Sequence, residues 1–153
     1  NGLSGCETKA GMGNCGACGV TCAAGQLCVK GSACQPCAPT DLGSTVPQTI
    51  SGTTVGKTDS YSTSCAYGNA PDVSFSFTAQ TTGSFTFDTI GSSFDTVLEV
   101  REATCGGTKL ACDDNGGGGS TSKLPTWLNA GQTVVVVLDG VNSSQGAFKL
   151  NVN

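Results

Sequence analysis

The chain has 153 residues, enough for one ordinary domain with a small appendage and too few for a two-domain enzyme carrying a cofactor fold. Apolar residues make up 37%, charged residues 12%, and glycine contributes 23, which excludes both a charge-rich disordered tail and a helical bundle built on Ala, Leu, Glu and Lys. The net charge of -4, with Lys and Arg scattered singly, argues against nucleic acid or an anionic membrane as partner, and the absence of His removes the commonest general base and metal ligand.

No apolar run is long enough to cross a bilayer, so no membrane insertion is expected. With no apolar leader and Asn1 rather than Met at its start, the chain reads as a processed, soluble product. Its 10 Cys indicate an oxidising compartment, and hence a secreted, extracellular or cell-surface location. Residues 1–37 form a Cys-rich segment holding Cys6, Cys15, Cys18, Cys22, Cys28, Cys34 and Cys37, with few large apolar side chains beyond Leu3, Met12 and Leu27. Disulfides must do there what packing does elsewhere. The run AAGQLCVKGSACQP reads as a small hairpin turning at Lys30-Gly31.

Zinc is the rival use of these thiols, because Cys15-x2-Cys18 followed by Cys34-x2-Cys37 fits a zinc-ribbon template. Against it stand the surplus thiols Cys22 and Cys28 inside the ribbon, Cys6 before it, and Cys65, Cys105 and Cys112 beyond it. Spacing alone does not fix the connectivity, but it suggests a partition. Cys105 and Cys112 flank GGTKLA, a length suited to closing a tight loop; Cys37 and Cys65 are placed to tie the entry segment to the β-rich region; the other six form three bridges.

From residue 38 to 153 the pattern changes to short β segments. VSFSF sets Val73, Phe75 and Phe77 against Ser74 and Ser76, and SFTFD repeats this with Phe85 and Phe87. TVLEVRE places Leu98 and Val100 opposite Val97, Glu99 and Arg101. KLPTWL sends Leu124, Thr126 and Leu128 inward and Pro125 and Trp127 outward. TVVVVLD is apolar on both faces, as a central strand would be, and AFKLNV turns Phe148, Leu150 and Val152 one way. Turn signals at Thr82-Gly83, Ile90-Gly91, Ala130-Gly131 and Asp139-Gly140 separate the runs. Roughly seven to nine short strands without a helical period predict an all-β antiparallel sandwich of jelly-roll or Greek-key type.

The pieces SFDTVLEVR, LACDDN, LNAGQT and GAFKLNV resemble the bacterial pre-peptidase C-terminal domain, over about residues 38–153. NCGACGVTCAAGQLCVKGSAC, over about residues 6–34, is similar to the Cys-rich motif of stigma-specific-protein-like segments. The first resemblance implies a β-sandwich with no catalytic residues, associated with substrate targeting, secretion or adhesion, in which some members bind calcium.

Asp113-Asp114-Asn115, with Asp95 approaching from the SFDT turn, is the densest set of oxygen ligands and the candidate calcium site. The same side chains equally suit an Asx-type turn that caps its own backbone. No cofactor is required. Asp113 with Glu99 or Glu102 could in principle pair for glycoside hydrolysis, but no substrate groove is legible in the sequence, no GxSxG motif occurs, and a Ser nucleophile would have no His to activate it. Trp127 and Pro125 are the candidate interface: an outward Trp needs a cover, either a partner or the Cys-rich segment.

The sequence therefore predicts a non-catalytic secreted protein with a structural or adhesive role. It acts by surface binding or by self-assembly, as a candidate subunit of an extracellular fibre or matrix. Its partners are its own copies or an extracellular surface such as a polysaccharide. The alternative is a substrate-targeting accessory module of a secreted hydrolase, stabilised by Ca2+.

Overall fold

The computed structural model of the chain describes residues 26–29, 33–36, 38–67, 70–103 and 107–153. Strands β1 (Gln26–Val29) and β2 (Ala33–Pro36) pair antiparallel as a separate two-stranded sheet, with Val29 opposite Ala33 and Cys28 opposite Cys34. A hairpin stands where the sequence places one; its expected turning residues, Lys30 and Gly31, lie outside the described residues.

The remaining strands are β3 (Thr40–Asp41), β4 (Gln48–Thr53), β5 (Val73–Thr78), β6 (Gly83–Asp88), β7 (Thr96–Glu102), β8 (Lys109–Asp113), β9 (Lys123–Leu128), β10 (Thr133–Gly140) and β11 (Ala147–Val152). They build a five-stranded sheet in the order β3-β5-β10-β7-β8 and a four-stranded sheet in the order β4-β11-β6-β9. The protein is an all-β sandwich. Every described pairing is antiparallel except the two-residue contact of β3 with β5.

Alternation fixes which side chains meet between the sheets. Phe75, Phe77, Leu98, Val100, Val134, Val136 and Leu138 from the first sheet pack against Phe85, Phe87, Leu124, Leu128, Phe148, Leu150 and Val152 from the second. Phe77 stands edge-on to Phe85 and Phe87, with ring centroids 5.3 and 5.6 Å apart, the arrangement that ring quadrupoles favour. β10 is central and buried on both faces, as its unbroken apolar run requires. Gly52 faces Phe148 across β4 and β11, and the Phe148 ring comes within 2.7 Å of where a Cβ would stand, so only glycine admits that ring.

The outer face of the five-stranded sheet is covered by its own chain. Residues 57–67 form no regular element and lie across β10 and β7, where Tyr61 packs on Val135 and Val137. Several anchors hold this strap. The Asp72 carboxylate accepts the N–H groups of Ser60 and Tyr61 at 2.6 and 2.7 Å. The Glu99 carboxylate accepts the Ser64 N–H at 2.7 Å and pairs with the Arg101 guanidinium at 2.6 Å. Arg101 in turn donates to the Ser62 carbonyl at 3.0 Å and lies over the Tyr61 ring. Burial pushes the Tyr61 phenol above its ordinary range.

A disulfide completes the strap, and its pairing corrects the expected partition. Cys65 is bonded to Cys112, with Cα atoms 5.9 Å apart, so Cys112 does not close a loop with Cys105 and Cys65 does not tie back to Cys37. Cys112 lies opposite Glu99 in the β7–β8 pair and shares its face, the face the strap crosses. Cys65 follows immediately after the Ser64 anchor and meets it there. Cys6, Cys15, Cys18, Cys22, Cys37 and Cys105 lie outside the described residues.

Candidate functional site

Two places gather the residues singled out from the sequence. The first is the outer face of the four-stranded sheet. Along β9, Leu124, Thr126 and Leu128 are buried while Lys123, Pro125 and Trp127 are exposed. Trp127 retains 68% of its surface in solvent, and no described segment covers it. β9 is an edge strand, paired only with β6, which is where a proline lacking its N–H is tolerated.

Register extends this face across the whole sheet. Thr49 of β4 stands opposite Asn151 of β11, Asn151 opposite Asp88 of β6, and Asp88 opposite Lys123 of β9, a single cross-strand row. The Thr49 hydroxyl donates to Asn151 Oδ1 at 2.8 Å, and Asn151 Nδ2 donates to Asp88 Oδ1 at 2.6 Å. Asp88 Oδ1 also accepts the Ile90 N–H at 3.1 Å. Pro47, Gln48, Thr49, Asp88, Ile90, Asn151 and Asn153 line a shallow, open crevice here. The sequence reading picked out Trp127 and Pro125 but missed this row, because Asp88, Asn151 and Lys123 become neighbours only once four distant segments are in register.

The second place is the acidic turn after β8. Asp113 has the Asx role: its Oδ2 accepts the N–H groups of Gly116 and Lys123, both at 2.8 Å, so it clasps the turn and ties β8 to β9. Asn115 is exposed. Asp114 is different. Its Oδ1, and Oδ1 of Asp95, are buried without a hydrogen-bond partner. Burial holds the Asp114 carboxyl above its ordinary range, and the charges of Asp95 and Asp113 push it the same way. Calcium prefers about six to eight hard oxygens. Asp95 and Asp114 supply donors of the right type, but among the described residues no three acidic, His or Cys side chains converge as a ligand set. The turn therefore fits a cation only in part, with backbone carbonyls needed to complete the shell.

Geometry also separates Asp113 from Glu99 and Glu102, the carboxylates a glycoside hydrolase would need to pair. Asp113 stands opposite Leu98 and shares its core-facing side, whereas Glu99 projects to the other side under the strap. Glu102 shares the side of Asp113 but lies four residues from Leu98, roughly 13 Å along the strand and beyond the spans such pairs use.

No protein-family model matches the chain, and no curated protein sequence matches it significantly. Solved structures do. The pre-peptidase C-terminal domain of a collagenase from Bacillus anthracis aligns with a TM-score of 0.55 and 12% sequence identity, covering 78% of this chain and 98% of that one. An identity this low speaks for architecture alone: the sandwich has the fold of a pre-peptidase C-terminal domain.

Proposed function

We propose that the chain is a non-catalytic secreted adhesive module that attaches to an extracellular polysaccharide surface through the outer face of its four-stranded sheet. The observation that carries this reading is Trp127. Its alternate neighbours in β9 are core residues, so strand register obliges the ring to face solvent. The exposed Trp127 ring offers an apolar face, and Lys123 and Thr49 on the same side of the sheet offer exposed polar groups, a combination that suits sugars, which present both C–H faces for stacking and hydroxyls for hydrogen bonding. The lack of any His in the sequence and the separation of Asp113 from Glu99 and Glu102 support a role in contact rather than reaction. The Cys65–Cys112 bridge supports a location outside the reducing cytosol.

Trp127→Ala is the direct test, with co-sedimentation on insoluble cellulose and chitin as the readout. Loss of an exposed aromatic anchor is expected to weaken binding by roughly 30-fold, about 2 kcal/mol, while melting stays within about 0.5 kcal/mol of the parent because the ring supports little of the fold. Binding equal to the parent's would contradict the assignment.

The second reading, a substrate-targeting accessory module with a structural calcium ion, is favoured by the unpartnered oxygens of Asp95 and Asp114. It predicts a melting midpoint that rises with millimolar Ca2+ and falls with chelator, the stabilisation amounting to about 2.7 kcal/mol at a hundredfold excess over Kd. It also predicts loss of the response in Asp114→Asn. Identical midpoints with and without chelator remove the cation.

A further inference from the structure

The sandwich has four strands at sheet margins, β3 and β8 in one sheet and β4 and β9 in the other. An open margin displays unpaired N–H and C=O groups, and proteins ordinarily guard it with charge, proline or brevity. Three of the four follow that rule. β3 is two residues long and contains Asp41; β8 carries Lys109 and Asp113 and a register shift against β7; β9 carries Lys123 and Pro125. β4 is the exception. It is six residues, QTISGT, paired only with β11 among the described strands, and no charged residue occurs anywhere between Asp41 and Lys57. Pro47 stands before the strand and leaves its own length unguarded.

We infer that β4 is a homotypic docking edge: two copies of the chain pair through it, antiparallel about a two-fold axis, and join their four-stranded sheets into one. This deepens the contact reading above by naming a second copy as partner, and it uses the margin of the four-stranded sheet opposite β9, with Thr49 common to both. Several features fit a second copy rather than a foreign strand. The edge is uncharged, so it meets its own image without repulsion. An isologous pairing needs only one competent edge, and among the described strands of the sandwich β4 is that edge. Residues facing each other across antiparallel strands project to the same side. A two-fold through Ser51 therefore sets Thr49 of each copy opposite Thr53 of the other, a Thr–Ser–Thr row of the kind that stabilises strand pairs. It also covers the open flank of Ile50, a half-buried residue packed against the core. An exposed charge on that side is Lys149, opposite Ser51 in β11. Across the joined sheet the two Lys149 backbones lie three strand spacings apart, roughly 14 Å, beyond the screening length of about 8 Å at physiological salt.

Sedimentation equilibrium of the full disulfide-intact chain over a wide concentration range tests the inference. The parent is expected to dimerise. Thr49→Lys with Thr53→Lys places like charges opposite one another at both ends of the row and is expected to raise the dimer dissociation constant tenfold or more. Thr49→Lys with Thr53→Glu removes the same two hydroxyls but sets opposite charges together, and is expected to restore the dimer. Trp127→Ala should leave dimerisation unchanged. A parent that stays monomeric throughout, two charge variants that behave alike, or a dimer abolished by Trp127→Ala would each overturn the β4 edge. The last outcome would leave the Trp127 face standing as a contact surface; loss of polysaccharide binding with an intact β4 dimer would do the converse.

Discussion

Glu99→Ala is expected to cost about 3–5 kcal/mol of stability, among the largest losses any single replacement here can produce. Glu99 is wholly buried and Arg101 is 7% exposed. Removing the carboxylate breaks the buried Glu99–Arg101 pair and releases the Ser64 N–H that holds the strap. Lys109, at 3.6 Å from Glu99, is well solvated, so the loss of its own contact with the carboxylate adds little to the cost. At roughly 2–4 °C per kcal/mol for a chain of this size, the melting midpoint should fall by about 10 °C in a calorimetric scan. A double replacement, Glu99→Leu with Arg101→Met, removes both members of the buried pair together and is expected to recover part of the loss. A midpoint within 2 °C of the parent in the single variant, roughly 1 kcal/mol at most, would show that the pair does not hold the strap.

The second large effect concerns the bridge. Cys65 and Cys112 are separated by 47 positions, and cross-linking a loop of that length removes denatured-state entropy worth about 4 kcal/mol. Paired replacement by Ser is expected to lower denaturant stability by an amount of that order, with little contribution from a cavity because Cys65 is exposed. The consequence should also be local. Val135, Val137 and Tyr61 are covered only while the strap stays down, so hydrogen exchange should accelerate on the outer side of β10 before it does in β6 or β11. Because Glu99 and the bridge restrain the same segment, their effects should not add, and combining the variants should cost less than the sum of the separate losses. Uniform acceleration over the whole sandwich would contradict a locally held strap.

The contrast between these residues and the strands shows where the sequence is informative. Alternation alone places Phe75, Phe85, Leu124 and Phe148 inward and turns Trp127 outward, because period two is a local property that burial of one face enforces. The same logic leaves Glu99 and Arg101 on an outer face, where solvent is the natural expectation. They are buried because an aperiodic segment, 57–67, crosses above them, and nothing in its composition announces that path. The Cys65–Cys112 pairing was hidden for the same reason, since it depends on where the strap ends and not on spacing. At Asp113 the sequence offered two roles, ligand and turn clasp. The hydrogen bonds from Gly116 and Lys123 show Asp113 Oδ2 as the clasp, while Asp95 and Asp114 each keep a buried oxygen without a hydrogen-bond partner. The Thr49–Asn151–Asp88–Lys123 row needs three registers at once, which no window of sequence contains.

A single tryptophan makes the contact face directly observable, because all indole emission comes from Trp127. Acrylamide quenching of the dispersed chain and of the chain adsorbed to polysaccharide is the most direct measurement. Ready quenching in solution, with strong protection and a blue-shifted emission after adsorption, is the result this account predicts. Equal quenching in both states would mean that the ring stays in water while the protein adheres, and would contradict the outer face of β9 as the contact surface.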